Sequence, residues 1–326
     1  MYASWQGNHA LWSSIDDNAS LNHIVIYTMP GEGIEVGPPM SDEEAMQRRV
    51  PQVVDTVRTR EESLKGFGTT LPEDRTLATY LALTGVVYSV SSFMPELPPS
   101  RVKLLEMTMP TLPILPTDLI SRGSDMRWDL LKRTTPDDYI QNYPRILGLK
   151  INSKSGVYDV VGMTNWRSEA SARELSFAKQ LGLDPASSYV AVDFWNQKLY
   201  GVFRGRMKVE IAPHDTRVFL IHRVLNRPQL IRTSRHITGA YSILKLAWDA
   251  SRNSLSSSSR TVPAHEYALW VYDPQGETVS YFSARTVGNE DAPVRHAPNS
   301  KLLNVSFLGQ AEPVDWKITF VRNSVN

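Results

Sequence analysis

Up to about residue 145, apolar side chains recur at the three- and four-residue spacing that is typical of helices. One stripe follows an acidic start at 72–74, where carboxylates favour the positive end of a helix dipole; its members are Leu77, Tyr80, Leu81 and Thr84. Six prolines between residues 95 and 116 surround a shorter helical pattern, which consists of Val102, Leu105 and Met109. This half of the chain is therefore predicted to form helices and loops with a few short strands.

Beyond residue 145 the period of the apolar positions changes to that of strands. Short apolar segments separated by turn residues follow one another closely from 146 onward, which is typical of an antiparallel β-sandwich. The serine-rich run 254–260 predicts a polar loop. The best domain boundary is the polar stretch 134–144, so the predicted domains are 1–145 and 146–326. We expect five apolar side chains in the sandwich core: Phe194, Trp195, Val218, Leu220 and Trp316.

Composition places the chain among ordinary globular proteins. Its 326 residues are 41% hydrophobic and 21% charged, enough for about two domains. With 35 Lys and Arg against 34 Asp and Glu, there is no basic field to attract nucleic acid, and no such partner is expected. No apolar run approaches the ~20 residues of a membrane span, so no membrane partner is expected either. The sequence lacks a basic-then-apolar signal peptide pattern, which by default predicts a cytoplasmic protein.

The sequence offers little for a metal or a cofactor. Cysteine is absent, and the seven histidines do not fall at the spacings of metal ligands. The glycine-rich run 29–37 lacks both the lysine and the spacing of a phosphate-binding loop. We interpret it as a tight loop after a short strand, with Glu32 and Glu35 as the side chains that would face a substrate. No cofactor and no metal site are predicted.

Two adjacent carboxylates, Asp16 and Asp17, follow the aromatic Trp12 near the start of the chain. Glycoside hydrolysis uses two carboxyl groups on either side of the scissile bond. Neighbours in sequence do not normally fill both roles, so one interpretation is that Asp17 caps the helix that follows. The other is that Asp16 or Asp17 is a general acid/base and that Trp12 contacts a sugar. Both interpretations remain open on the sequence.

An ordered series of short motifs resembles one family of glycoside hydrolases. The first half carries Ala-Leu-Thr-Gly at 82–85 and Leu-Pro-Pro-Ser-Arg-Val-Lys-Leu-Leu at 97–105. The second half carries five further motifs, at 164–166, 193–195, 201–203, 211–217 and 234–239. Together they resemble the end of the barrel and the following β-domain of the α-galactosidase and raffinose synthase clan.

The resemblance implies a fold and a function for most of the chain. The implied fold class is α/β plus all-β: the C-terminal part of a (β/α)8 barrel followed by an antiparallel β-sandwich. It implies a retaining enzyme acting on α-galactosides or related oligosaccharides, in which Asp16 or Asp17 matches the acid/base position. The nucleophile would come from a barrel segment outside this chain, so the chain alone is expected to be inactive. The alternative is a non-catalytic carbohydrate-binding or structural β-sandwich protein.

Overall fold

The structure is a computed structural model of the chain. It describes residues 9–12, 25–28, 70–85, 88, 98–114, 116–118, 146–167, 169–276, 278–285, 294–296 and 301–321. The first two ranges are short strands, β1 (His9–Trp12) and β2 (Val25–Thr28), which pair antiparallel with each other. The proposed boundary at 134–144 lies outside the described residues.

Two helices precede the sheets, where the helical patterns predicted them. Helix α1 (Leu71–Thr84) starts with a capping box, in which the Glu73 carboxylate accepts from the Thr70 backbone N–H at 2.7 Å. It ends at Gly85, whose φ of 67° suits glycine and where a Cβ would lie 2.6 Å from the Leu112 carbonyl oxygen. Helix α2 (Pro99–Thr108) begins inside the proline-rich passage. Neither these nor any other described helix has the length and apolarity needed to cross a membrane.

The first sandwich pairs a six-stranded antiparallel sheet with a two-stranded one. The large sheet has the order β3-β4-β5-β10-β7-β8 and the small one joins β6 to β9. The bounds are β3 (Thr117–Asp118), β4 (Ile146–Ser153), β5 (Gly156–Thr164), β6 (Ser171–Ser176), β7 (Tyr189–Asp193), β8 (Lys198–Phe203), β9 (Arg206–Ile211) and β10 (Thr216–Arg223). A one-turn helix, α3 (Phe177–Leu181), follows β6.

Alternation along the strands gives the large sheet two buried faces. One face packs on β6, β9 and α3 through Val161, Met163, Phe219 and Ile221. The other face belongs to a larger core shared with α1 and with the strands after residue 228. Because successive side chains point to opposite faces, a sheet covered on both sides needs apolar residues at nearly every position. Strand β10 meets that requirement.

The second sandwich contains two four-stranded antiparallel sheets. Their orders are β11-β14-β17-β16 and β12-β13-β18-β15. The bounds are β11 (Gln229–Thr233), β12 (Ile243–Asp249), β13 (Ser254–Ser259), β14 (Glu266–Tyr272), β15 (Thr278–Arg285), β16 (Val294–His296), β17 (Leu302–Leu308) and β18 (Val314–Val321). The strands after residue 145 thus form two successive sandwiches, where the sequence predicted a single one over 146–326.

The prediction of a polar loop at 254–260 is wrong, because residues 254–259 form strand β13 between β12 and β18. A run of serines does not by itself favour a strand. Here the two neighbouring strands form hydrogen bonds with the backbone of the run, and serine hydroxyls bond within the sheet. Ser259 accepts a hydrogen bond from the Trp316 indole N–H at 2.8 Å, and Ser257 donates to the Lys245 carbonyl.

Four of the five expected core residues are fully buried, namely Phe194, Val218, Leu220 and Trp316. The fifth, Trp195, is only half-buried, because it lies at the edge where α1 meets the sheet. The predicted antiparallel β-sandwich is confirmed. All strand pairs among the described residues are antiparallel, so the barrel assigned to residues 1–145 stays a prediction.

Candidate functional site

The residues nominated from the sequence as a catalytic or sugar-binding site fall in the first forty positions. Trp12 is the last residue of β1 and pairs with Val25 of β2. Asp16, Asp17, Glu32 and Glu35 lie outside the described residues. Their roles therefore stay predictions.

Parts of three motifs, at 164–166, 193–195 and 211–217, lie at the contact between α1 and the first sandwich, which we call the helix seam. An ion pair crosses it: Arg75 Nη2 of α1 lies 2.7 Å from Asp215 Oδ2, in the turn before β10. Asp215 also accepts from the Thr216 backbone N–H at 2.8 Å. Burial raises the pKa of the Asp215 carboxyl, and the Arg75 guanidinium opposes that rise. A second pair, between Asp74 and Arg101, joins α1 to α2.

A chain of three threonine hydroxyls continues from the helix into the sheet. Thr76 Oγ1 donates to the His214 carbonyl oxygen at 2.9 Å and lies 2.9 Å from Thr216 Oγ1. Thr216 Oγ1 in turn lies 2.8 Å from Thr164 Oγ1. Each hydroxyl has one proton, so Thr76 accepts from Thr216, which accepts from Thr164. These hydrogen bonds join the helix to β5 and β10.

Two tryptophans of the motif series pack on the same helix. Trp195 Nε1 donates to Thr79 Oγ1 at 3.0 Å, and Trp166 meets the Tyr80 ring edge-on with centroids 5.0 Å apart. The backbone of Gly162 lets the helix approach closely, since a Cβ there would lie 3.0 Å from Leu83. Both indoles therefore hold α1 on the sheet and are not free sugar platforms.

Behind the seam, the Asp-Phe-Trp motif at 193–195 is tied to the Thr-Arg end of the 211–217 motif. Asp193 is fully buried at the end of β7 and accepts from Arg217 Nε at 2.6 Å. It also accepts from the backbone N–H and the side-chain Nδ2 of Asn196, at 3.1 and 2.8 Å. Two motifs separated along the chain thus form one hydrogen-bonded corner.

Arg232 of β11 is a fully buried guanidinium that the sequence reasoning missed. It lies between two rings, 4.0 Å from the Phe194 centroid and 4.3 Å from that of Trp270. Arg232 Nη1 donates to the Phe194 carbonyl oxygen at 2.6 Å, linking the two sandwiches. Burial lowers its pKa to about 9, with the charge of Asp193 in opposition, so it stays protonated at neutral pH. The local sequence gives no signal for it, since residues 229–233 read Gln-Leu-Ile-Arg-Thr.

The motif at 234–239 docks on the end of α2. The Ile237 backbone N–H donates to the Met107 carbonyl oxygen at 2.8 Å. Burial lowers the pKa of His236 to about 4, so its ring is neutral. Its Nδ1 accepts from the Thr238 backbone N–H at 3.2 Å, which leaves Nε2–H to donate to the Pro110 carbonyl oxygen at 3.0 Å.

The buried carboxylates of this region are matched with cations. Asp74, Asp193 and Asp215 each pair with an arginine, and Asp159 lies 2.8 Å from Lys150 Nζ. Within the described ranges, no group of three or more His, Cys, Asp or Glu side chains could hold a metal ion. The geometry of the helix seam is therefore that of a polar joint between helices and sheets.

Comparison with known families identifies the first sandwich. Residues 152–221, from β4 to β10, match the family model for the alpha galactosidase C-terminal beta sandwich domain. The match confirms the resemblance for this part of the chain, which is similar to the C-terminal β-sandwich domain of α-galactosidases. Comparison with curated proteins gives no significant match.

Solved structures similar to this chain include three carbohydrate-active enzymes. The α-galactosidase I from Mortierella vinacea has a TM-score of 0.35 and 12% identity, over 48% of this chain and 37% of that one. The isomalto-dextranase from Arthrobacter globiformis T6, complexed with panose, has a TM-score of 0.35 and 12% identity, over 79% and 46%. The α-galactosidase from Saccharomyces cerevisiae with raffinose has a TM-score of 0.35 and 11% identity, over 48% and 44%. The chain covers less than half the length of each.

Proposed function

We propose that this chain is the C-terminal part of a retaining glycoside hydrolase that acts on α-galactosides or related oligosaccharides. The observation that carries the proposal is the match of residues 152–221 to the α-galactosidase C-terminal sandwich. In this proposal the first sandwich is the domain that follows the catalytic barrel, and helices α1 and α2 belong to the end of that barrel.

The helix seam supports this role for the sandwich. An ion pair, a hydroxyl chain and two indole contacts join α1 to the first sandwich. Such a joint fixes the orientation of the helix, and the active sites of barrel enzymes lie in loops whose positions depend on the helices and strands that carry them.

We further propose that catalysis requires a partner segment. Retaining hydrolysis needs a nucleophile and a proton donor about 5–5.5 Å apart. Asp74, Asp159, Asp193 and Asp215 are already bound to Arg or Lys, so we assign them structural roles. Asp16 or Asp17 would serve as the acid, Trp12, Glu32 and Glu35 would face the sugar, and the nucleophile would come from a separate barrel segment.

The test is hydrolysis of a nitrophenyl α-galactoside by the purified chain, alone and after co-expression with its barrel segment. We expect no enzymatic turnover alone, because one positioned acid contributes only about 10²–10⁴-fold. Turnover on co-expression should be lost in Asp16→Asn or Asp17→Asn, whichever residue is the acid.

Two results would contradict this assignment. Robust turnover by the chain alone would place the nucleophile within it. Oligosaccharide binding without turnover, even on co-expression, would favour the alternative of a non-catalytic carbohydrate-binding protein.

A further inference from the structure

A cleft of about 560 Å³ opens where the first sandwich meets the second, away from the helix seam. The β4–β5 hairpin forms one side, residues 112–114 form another, and residues 238–243 close the third. Its volume is within the range of about 300–1,000 Å³ that is usual for small-molecule sites. Of the ion pairs described above, only that of Lys150 with Asp159 borders it.

The floor of the cleft is a rigid tyrosine. Tyr158 is almost fully buried, and its phenol donates to the Thr238 carbonyl oxygen at 2.6 Å. The other side of its ring stacks on His222, with centroids 4.2 Å apart and an angle of 11° between the planes. The Tyr158 ring therefore has its position fixed before any ligand arrives, which lowers the entropic cost of binding.

The wall of the cleft next to Tyr158 is formed by a turn whose backbone lies close to the sheet. Gly239 has a φ of 92°, and a Cβ there would lie 2.3 Å from Leu220 Cδ2 and 3.3 Å from the Tyr158 hydroxyl. Only glycine allows residues 238–240 to fold this tightly over the sheet. The turn carries Tyr241 to the rim of the cleft, where 42% of the residue remains exposed.

The opposite wall is polar and cationic. Asn152 and Lys154 are exposed on the β4–β5 hairpin, and Ser153 lies between them. The Lys150 ammonium also lines the cleft but is held by Asp159 at 2.8 Å. An exposed aromatic residue therefore lines the same cleft as amide, hydroxyl and ammonium groups. A pyranose has the matching chemistry, since its C–H face packs on an aromatic ring and its hydroxyls bond to polar groups.

We propose that this cleft is a saccharide-binding site, with Tyr241 as the stacking platform and Asn152 and Lys154 as hydroxyl partners. The choice of a saccharide as ligand rests partly on the proposed function, because a glycoside hydrolase encounters oligosaccharides. In this proposal the cleft holds a substrate chain without taking part in its cleavage.

The experiment is calorimetric titration of the full chain with raffinose, with cellotriose and maltotriose as comparison sugars. We expect saturable binding of at least one of the three. Tyr241→Ala should weaken that binding by about tenfold or more, because it removes the stacking ring. Tyr241→Phe retains the ring and should stay within about twofold of the original chain. Leu244→Ala, a change of another exposed residue on the neighbouring strand, is the matched control.

Several results would overturn the proposal. One is the absence of saturable binding for all three sugars. Another is binding that Tyr241→Ala leaves unchanged, and a third is an equal loss in Leu244→Ala. Failure here is distinguishable from failure of the proposed function: turnover on co-expression without binding at the cleft refutes only the cleft. Binding that depends on Tyr241, without turnover on co-expression, refutes only the enzymatic assignment.

Discussion

The first sandwich has two polar contacts, and they are built on different principles. The helix seam contains an ion pair and a hydrogen bond between hydroxyls: Arg75 pairs with Asp215, and Thr76 bonds to Thr216. At the contact with the second sandwich, Arg232 is fully buried between two aromatic rings and bonds to carbonyl oxygens. Its nearest compensating charge is the Asp193 carboxylate, which already holds Arg217.

The difference teaches how each contact responds to change. The stabilisation at the helix seam is divided among an ion pair, hydroxyl hydrogen bonds and two indole contacts, so a single change removes only part of it. The Arg232 guanidinium, by contrast, is fully buried and has no access to solvent. A buried charge costs several kcal/mol when its hydrogen bonds are lost. Loss of Arg232 should therefore cost more than loss of Arg75 at the helix seam.

The largest expected effect is on Arg232. Arg232→Ala should lower the free energy of unfolding by about 3–5 kcal/mol, since it leaves a cavity between two rings and an unpaired Phe194 carbonyl. Urea unfolding measures the change. Arg227→Ala is the matched control, because Arg227 lies 5.3 Å from a single ring, that of Trp248, and is half-buried. It should cost about 1 kcal/mol or less. Equal losses of unfolding free energy in the two variants would show that the burial of Arg232 between two rings has no special effect on stability.

Acid should destabilise the fold through two buried histidines. Burial lowers the pKa of His222 to about 3 and that of His236 to about 4. Below about pH 6.5 the unfolded chain binds protons that the folded chain does not. The free energy of unfolding therefore decreases as the pH is lowered. Each histidine should contribute a loss of about 2 kcal/mol between pH 7 and 5, at ~1.4 kcal/mol per unit.

Unfolding of His222→Gln and His236→Gln across this range separates the two contributions. Each variant should show a shallower pH slope than the original chain. His265→Gln, at an exposed position, should leave the slope unchanged. A slope that survives in both buried-histidine variants would mean that other groups carry the acid response.

A double-mutant cycle on Arg75 and Asp215 sharpens the picture of the helix seam. With exposures of 22% and 8%, the pair should show a coupling energy of about 1–2 kcal/mol. The control pair is Arg206 and Glu174, separated by 3.6 Å and exposed by 73% and 54%. Its coupling should be about 0–0.5 kcal/mol. Similar coupling energies for the two pairs would show that burial at the helix seam does not strengthen the ion pair.

The smallest expected effect is that of one indole hydrogen bond. Trp195→Phe keeps most of the ring but removes the donor to Thr79, and should cost about 1 kcal/mol in unfolding free energy. Thr79→Val is the reciprocal change, and the double variant should lose less than the sum of the two single losses. Strict additivity would show that the bond does not contribute to the helix seam.

Much of the architecture could be predicted from the chain because the signals are local. The stripe from Leu77 to Thr84 gave helix α1, and the alternating apolar segments gave most strands of both sandwiches. Three motifs of the resemblance, at 164–166, 193–195 and 211–217, contribute residues to the helix seam. What failed was the serine run at 254–259, whose side chains favour a loop until two neighbouring strands bond its backbone.

The sequence by itself therefore determined the change from helices to strands, the antiparallel class and the kinship of the first sandwich. Only the tertiary structure decided the division into two sandwiches, the pairing of Asp215 with Arg75 and the burial of Arg232 between two rings. The reason is physical. The spacing of apolar residues and the capping of helices depend on residues within about four positions of each other. These contacts join residues 38 to 140 positions apart. Nothing in the local sequence distinguishes a buried arginine from an exposed one.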